Sequence, residues 1–492
     1  MVREEAWGCR HTLALLYFFG ILLSCALRVN LSIAIVAMAG TRIDEVKYTT
    51  RLNQSGACLL PEDGYLLGDK QAIEGDFDWD AGDLGLILGA FFWGYTLTNF
   101  LGGRAAEHLG GRLVFGIGIV IPAFLSIVTP FCAYQSKWLL IANRILAGVA
   151  QGGTLPSLAV LISTWVIPKE RSKFTSYVYI GSNLGTVAAM SLGGLLSSST
   201  FMGGWPSIFY LFGILGLVWG IPWFLFIRDS HEKHPRVSAK ELEYIAQEGN
   251  TMRTKKVIAI PWKDLGTSLP FWAIVFACFG NSFGFYILLN GLPQYFANIL
   301  YFDIKSNGLL SAVPYLGMTL LLLFWGQLTD SFVQRKMLSV RTLRKLSTAV
   351  GCYGPMLGLV ALSFVRCDAV AALVILCLSI SISGVTYCGY PVSNQDIAPN
   401  LSGTLVGLAN TVGAFTGILA PGITGLITQG NQTPDAWRLV FLITAGGYLI
   451  STTFYLIFAT DQVQPWNECK SRQTKEIKQE LHSPRPGTMD FS

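Results

Sequence analysis

Long apolar runs recur along the whole chain, separated by shorter polar segments. Twelve can be drawn, at 13–39, 84–102, 113–133, 138–165, 174–197, 205–227, 270–297, 308–328, 346–365, 369–391, 403–428 and 439–459. Each reaches or exceeds the ~17–25 residues that carry a helix across ~30 Å of hydrocarbon. No water satisfies the backbone within lipid, so runs of this length fold as helices whose N–H and C=O groups pair internally. The pattern predicts an all-α membrane protein with twelve transmembrane helices. The first run is far longer than a signal-peptide core and no small-residue cleavage site follows it, so it is read as the first span.

Composition agrees: of 492 residues, 52% are hydrophobic and 13% charged, against about 25% charged in soluble domains. With the N-terminus placed in the cytosol, 25 of the 35 Lys and Arg residues fall on that side and 8 on the other. This asymmetry predicts that both termini are cytosolic. The outward loop 40–83 holds ten acidic residues, among them Asp76, Asp78, Asp80 and Asp83, against four basic ones; they are read as a solvated loop, with an acidic vestibule for cations as the alternative. The same loop carries the sequon Asn53-Gln-Ser, the expected glycosylation site. Other sequons, at Asn30, Asn400 and Asn431, fall in a span, on the cytosolic side and close to the membrane. The ten cysteines have no CxxC spacing, so neither a zinc site nor a disulfide framework is expected. Cys58, Cys132 and Cys367 are placed outside or near the outer face.

The spans divide into an N-terminal half (1–227) and a C-terminal half (270–460) around a central cytosolic loop (228–269), with a cytosolic tail over 461–492. Within the loop, SAKELEYIAQ reads as a short helix with Ser238 as N-cap and Glu241 three residues on. Each half carries a glycine–acid–basic signature between its second and third spans. In the first it is Gly103, Glu107, Gly110, Gly111 and Arg112; in the second, Gly326, Asp330, Arg335 and Lys336. Trp205 with Phe209 and Trp437 with Phe441 form a weaker echo. Two similar halves suggest a transporter with its site at their interface. Glu107 and Asp330 are expected to act with the cytosolic arginines as conformational latches, not as substrate ligands.

Only two charged side chains lie well inside the spans, Arg28 and Arg144, and no carboxylate or histidine accompanies them. At 1.5 Å per residue Arg28 lies ~22 Å above residue 13, and Arg144 ~9 Å below residue 138 of the descending fourth span. Both therefore fall in the outer half of the membrane, at nearly one depth. A charge in a span is expensive and normally faces a cavity or a partner. Paired guanidinium forks match the oxygens of phosphate or carboxylate. The structural alternative is snorkelling, or bonding to backbone carbonyls at a helix break. Beside Arg144, Gly152, Gly153 and Pro156 suit close packing or flexing of the fourth helix. Asn281 and Asn290 give the seventh helix two amides, and Pro293 is expected to unwind it.

The paired signature resembles the loop motif of the major facilitator superfamily. Within it the chain resembles the sodium-phosphate cotransporter and organic anion transporter family, which includes sialin and the vesicular glutamate and nucleotide carriers. The matching stretches are RVNLSIAIVAM (28–38), GAFFWGY (89–95), RILAGVAQGGTLP (144–156), HPRVSAKELEYI (234–245), GLLSAVPYLG (308–317) and NQDIAPNLSGTLVGLANTVG (394–413). The resemblance implies a major facilitator fold working by alternating access, with Tyr95 and Tyr286 facing the central cavity. It also brings departures. Gln151 stands where acid-coupled members have glutamate, Leu88 where the glutamate carriers have histidine, and Thr98-Asn99-Phe-Leu-Gly-Gly where TQxPGG is usual. The HPRVSAKE loop is more similar to the sodium-phosphate branch.

With glutamine at 151 the spans offer no titratable group, which disfavours proton symport. Carbonyls and neutral side chains can hold sodium without any sequence signature. The expectation is a plasma-membrane, sodium-coupled carrier of inorganic phosphate or a small organic anion. Arg28, Arg144, Tyr95, Tyr286 and Gln151 bind that anion, and Gly103, Glu107, Arg112, Asp330 and Arg335 serve conformational change. The alternative is a potential-driven vesicular or lysosomal carrier of nucleotides or acidic metabolites; a non-transporting membrane sensor is more remote. No phosphate-binding loop, metal cluster or nucleophile–base arrangement suggests an enzyme. Beyond the lipid bilayer, no cofactor or nucleic-acid partner is expected, and a monomer is expected by analogy of fold.

Overall fold

A computed structural model of the chain describes residues 8–39, 75–165, 171–229, 235–239, 241–242, 260–300, 302, 304–365, 368–398, 401–429 and 432–467. Every regular element among them is helical. The first six spans are α1 (Cys9–Ala39), α2 (Ala81–Leu109), α3 (Gly111–Gln135), the pair α4 (Lys137–Gln151) and α5 (Thr154–Trp165), α6 (Arg171–Ser197) and α7 (Pro206–Phe226). The last six are α8 (Leu269–Asn298), α9 (Ile304–Gln334), α10 (Val340–Leu362), the pair α11 (Ala369–Ser383) and α12 (Tyr390–Ile397), α13 (Ser402–Thr428) and α14 (Pro434–Phe458). Nine described segments are each long and apolar enough to cross a membrane. The other three spans are α2, α6 and the α4–α5 pair.

Local chemistry sets many of the helix ends. Asp80 accepts from the Asp83 amide at 2.7 Å and opens α2; Ser136, Ser339, Asp368 and Thr433 open α4, α10, α11 and α14 in the same way. Gly110, at φ 96, stops α2 in a conformation that suits glycine. At the corresponding end of α9 it is Lys336 that adopts the left-handed turn, at φ 53, with the Met337 amide returning to the Phe332 carbonyl at 3.0 Å.

Within lipid, helices associate by close packing at small residues. Gly181 and Gly185 of α6 lie against the Phe18 and Leu22 carbonyls of α1, and Gly148 of α4 lies against the Phe91 carbonyl of α2. Three seams join the first six spans to the last six. Along α2–α13, Gly85 meets the Pro421 carbonyl and Gly425. Along α6–α9, Gly194 and Gly308 approach backbone to backbone. Along α1–α8, Ser32 Oγ donates to Asn290 Oδ1 at 2.8 Å. At the end of the bundle that carries residues 75–80, Gln429 Nε2 donates to Asp80 Oδ2 at 3.2 Å. These approaches gather toward that end and close it.

Two expectations need correction, and two spans carry interruptions. The fourth span is interrupted at Gly152–Gly153, the glycines read as suited to close packing or flexing, where α2 comes so close that Gly102 lies on Gly153. The tenth span is likewise interrupted, by the 3-10 turn Gly384–Cys388. Conversely, α8 runs unbroken through Pro293; Asn307 Nδ2 of α9 donates to the Pro293 carbonyl at 2.7 Å and ties α9 to α8 there. Nor are the aspartates of 76–83 simply solvated. Asp76 Oδ2 accepts from Tyr134 Oη and Trp205 Nε1, each at 2.8 Å, within a cluster of Phe77, Trp79, Tyr134 and Trp205. Asp83 pairs with Lys137 at 2.8 Å. Asn53, Asn400, Asn431, Cys58 and Cys367 lie outside the described residues, and Cys132 is a buried free thiol.

At the opposite end the central loop supplies carboxylates to helix N-termini, where the macrodipole favours negative charge. Asp229 Oδ1 accepts from the Arg112 amide at 2.8 Å, at the start of α3. Ser238 Oγ accepts from the Glu241 amide at 3.0 Å, as its sequence position anticipates. The Glu241 carboxylate, however, accepts from the Cys9 and Arg10 amides at 3.0 and 3.1 Å and sits 4.0 Å from Arg10 Nε. Glu241 is 4% exposed. Glu241→Ala is therefore expected to leave the start of α1 uncapped, at a cost of ~1–3 kcal/mol, read as a lower melting temperature in detergent, whereas exposed Asp461→Ala is expected to leave it unchanged.

Candidate functional site

The two arginines of the spans meet in the structure. Arg144 is 3% exposed and donates from Nη2 to the Arg28 backbone carbonyl at 3.1 Å. Seven residues on, Gln151 reaches the same helix, donating from Nε2 to the Ser24 carbonyl at 3.0 Å. Two turns of α4 thus hang on α1 through side chains, an arrangement made possible by an i, i+7 spacing on one helical face. The backbone bond of Arg144 is the structural alternative foreseen for it, but it engages only one of the five guanidinium N–H groups.

Arg28 is partly exposed despite its position mid-span. Its Nη2 donates to Cys25 Sγ at 3.0 Å, and that thiol lies 2.9 Å from Ser182 Oγ of α6. Its guanidinium carbon stands 5.9 Å from the Tyr95 ring centroid, and that of Arg144 6.0 Å from Phe91. Phe91 and Tyr95 stack at 5.7 Å, so one face of α2 backs both cations. From the other half, Tyr286 packs edge-on against Phe92 at 4.5 Å and lies within electrostatic reach of Arg28. Arg28, Arg144, Tyr95 and Tyr286 thus share one locus, with Gln151 two turns along α4.

Neither guanidinium has a carboxylate within ion-pairing distance among the described residues. Arg28 Nε and Arg144 Nε are buried donors without an acceptor. On α2, α4 and α8, Thr96 Oγ1, Asn99 Nδ2, Gln151 Oε1 and Asn290 Nδ2 are also buried and without a partner among the described residues. Such atoms are rare in folded proteins. A tetrahedral or planar anion between the arginines would bring the acceptors these donors lack.

Sequence reasoning missed Cys25 and Ser182. Cys25 stands three residues before Arg28 on one helical face, so its contact was legible from spacing; Ser182 comes from α6, 157 residues from Cys25 in the chain.

The signature residues lie at the far end. A Cβ at Gly103 would stand 3.3 Å from Pro156 Cβ, so this glycine packs α2 on α5. Arg112 donates from Nη2 to the Phe224 carbonyl at 2.5 Å, and its own carbonyl accepts from Trp223 Nε1 at 2.9 Å, tying α3 to α7. Arg335 is exposed just past α9. Glu107 and Asp330 fall on α2 and α9, but their side chains lie outside the described residues. An ion pair that sequence reading overlooked is Arg344–Asp396, at 3.0 Å; Arg344 also donates to the Cys388 carbonyl at 3.1 Å, joining α10 to the interrupted tenth span.

Comparison with known proteins places this geometry. Residues 17–421 match the family model described as Major Facilitator Superfamily. Human sialin is 36% identical over 461 residues, covering 93% of this chain and 91% of its own. A putative inorganic phosphate cotransporter of Drosophila ananassae is 34% identical over 475 residues, covering 95% and 96%. Among solved structures, the inward-facing, unoccupied bacterial homologue of the human lysosomal transporter Spinster superposes with a TM-score of 0.66 at 18% identity, covering 94% of this chain and all of that one. That likeness establishes the shared fold. With twelve helical spans, a family-model match over residues 17–421 and relatives above 30% identity that cover more than nine-tenths of it, the chain belongs to the Major Facilitator Superfamily of membrane transporters, in the branch that includes sialin and the putative inorganic phosphate cotransporters.

Proposed function

We propose that this protein is a sodium-coupled secondary carrier of inorganic phosphate or a small organic anion, working by alternating access. The observation that carries this reading is the pair of guanidinium groups, joined through the Arg28 carbonyl and without a carboxylate partner among the described residues. Arg28 and Arg144 hold the anion, Tyr95 and Tyr286 close over it from the two halves, and Gln151 supplies an amide. The closed seams at one end support a carrier resting with its site turned toward the other. The names of its relatives, a putative inorganic phosphate cotransporter and sialin, support an anionic cargo. We place it in the plasma membrane as a monomer, with both termini cytosolic and a glycan on Asn53.

Radiolabelled phosphate uptake into proteoliposomes, with and without an inward sodium gradient and at imposed potentials, tests this reading. Sodium-stimulated uptake is expected. Uptake driven by inside-positive potential with no sodium effect would remove the coupling and favour an intracellular, potential-driven carrier. Absence of uptake of every anion tried would remove the carrier reading itself.

Gln151 gives a second test. Gln151→Glu places a carboxylate in the same region as the guanidiniums, where in its ionised form it competes with substrate for them and in its protonated form it does not. The variant is expected to acquire a pH-dependent uptake that rises toward acid, while the parent profile stays flat over the same range. An equally flat profile in the variant would separate Gln151 from the anion path.

A further inference from the structure

The fourth span breaks where oxygen atoms gather without donors. α4 ends at Gln151 and α5 begins at Thr154. The last carbonyls of a helix find no amide within it, and the macrodipole makes that end negative. Pro156 adds to this: four residues after Gly152, it has no N–H to return to the Gly152 carbonyl. Among the described residues no other group donates there. Nearby carbonyls are met by hydroxyls, Thr98 Oγ1 of α2 donating to Val149 at 3.0 Å and Thr154 Oγ1 to Gln151. Thr98 Oγ1 lies directly on the break, where any side chain at Gly152 would strike it.

Gln151 adds a side-chain oxygen. The residue is 1% exposed; its Nε2 donates to the Ser24 carbonyl at 3.0 Å, and its Oε1 is a buried acceptor with no donor among the described residues. An anion cannot satisfy an acceptor, whereas a cation can. A divalent ion would ask for carboxylates, and α4 and α5 contain none. Neutral oxygens at the negative end of a helix suit a hard monovalent cation. Along α4, Gln151 lies ~10 Å beyond Arg144, on the side away from Lys137 and Asp83.

We propose that the interruption of the fourth span is a sodium site, built from Gln151 Oε1, the Gly152 carbonyl and Thr98 Oγ1. This rests on the sodium-coupled reading above and gives the ion its place. Without an anion the guanidiniums of Arg28 and Arg144 repel a cation at this distance; an anion held between them reverses that field through an interior of low dielectric. Linkage makes the effect mutual, so sodium and the anion raise each other's affinity by one factor. A buried water would also satisfy Oε1, but binding of the anion would then be indifferent to sodium.

Binding of radiolabelled sodium to the purified full-length chain is measured with and without phosphate, with potassium as competitor, beside sodium titrations of phosphate uptake in proteoliposomes. Phosphate is expected to tighten sodium binding about threefold or more, and potassium not to compete. Pro156→Ala returns an N–H to the Gly152 carbonyl, keeps the Cβ that packs on Gly103 and favours the helix. Thr98→Val removes a ligand oxygen, and Thr98→Ser restores it. Pro156→Ala and Thr98→Val are each expected to raise the sodium concentration for half-maximal uptake about fivefold or more, the factor one lost contact supplies. Phosphate affinity at saturating sodium should hold, and Thr98→Ser should titrate like the parent. The site is overturned if Pro156→Ala or Thr98→Val keeps the parental sodium titration, or if either weakens phosphate equally at every sodium concentration. A parent that binds no sodium, and whose uptake ignores it, removes the coupling reading and the site together; sodium-stimulated uptake untouched by these variants removes the site alone.

Discussion

Arg144→Ala is expected to lower anion uptake in proteoliposomes by at least ~100-fold. The argument is electrostatic. Each hydrogen bond between a charged group and its partner is worth ~1.5–3 kcal/mol, and Arg144 has Nε and further N–H groups beyond the one bonded to the Arg28 carbonyl. Loss of two such bonds alone accounts for a factor of about a hundred or more. The same substitution also removes the bond that holds Arg28's backbone, so its effect reaches both cations. Arg144→Lys separates charge from geometry: an ammonium keeps the charge but cannot present two parallel donors. It is expected to recover only a small fraction of uptake. Near-normal uptake in the alanine variant would leave Arg144 as a structural anchor between α4 and α1, and the anion site would have to be sought elsewhere.

Gly308→Leu is expected to stop transport by a different route. A Cβ at Gly308 would stand 2.5 Å from Gly194 Cα and 2.6 Å from the Met190 carbonyl, backbone atoms that cannot swing away. The clash exists only when the α6–α9 seam is closed. Overpacking of this kind costs ~1–3 kcal/mol or more, enough to shift a two-state population by about tenfold to a hundredfold. The variant is expected to fold, to rest with the acidic-loop end open, and to carry substrate at least ~10-fold more slowly. Spin labels at Ser198 and Lys305, flanking the seam, would report the change as a longer distance. Gly407→Leu is the control: nothing lies within 4 Å of a Cβ there, so uptake should hold. An unchanged distance distribution in Gly308→Leu would mean that the seam tolerates the side chain and does not gate the carrier.

The twelve spans, the helical class and the two arginines that stand out in them were all legible in the chain. The reason is that the bilayer imposes a one-dimensional rule: a segment must be apolar over a fixed length and must satisfy its own backbone. Against that background any charge is conspicuous, so Arg28 and Arg144 could be found without neighbours, and helix rise alone set them at one depth. Ser238 as an N-cap was legible for the same reason, since a cap bonds three residues away.

Tertiary structure alone decided what those residues touch. The Arg144 bond to the Arg28 carbonyl and the Gln151 bond to the Ser24 carbonyl span 116 and 127 residues of chain. Glu241 looks locally like the partner of its own cap, yet its carboxylate serves the start of α1, 232 residues from Cys9. Pro293 has the local chemistry of a helix breaker and does not break α8, and Asn307 of the adjacent helix bonds to its carbonyl. The interruptions at Gly152–Gly153 and Gly384–Cys388 lie in runs that read as continuous apolar spans. For Arg144, Gln151 and Glu241 the deciding contact comes from another helix. Hydropathy records whether a residue suits lipid or protein, but the bonding partner of a buried polar group depends on which helices pack side by side.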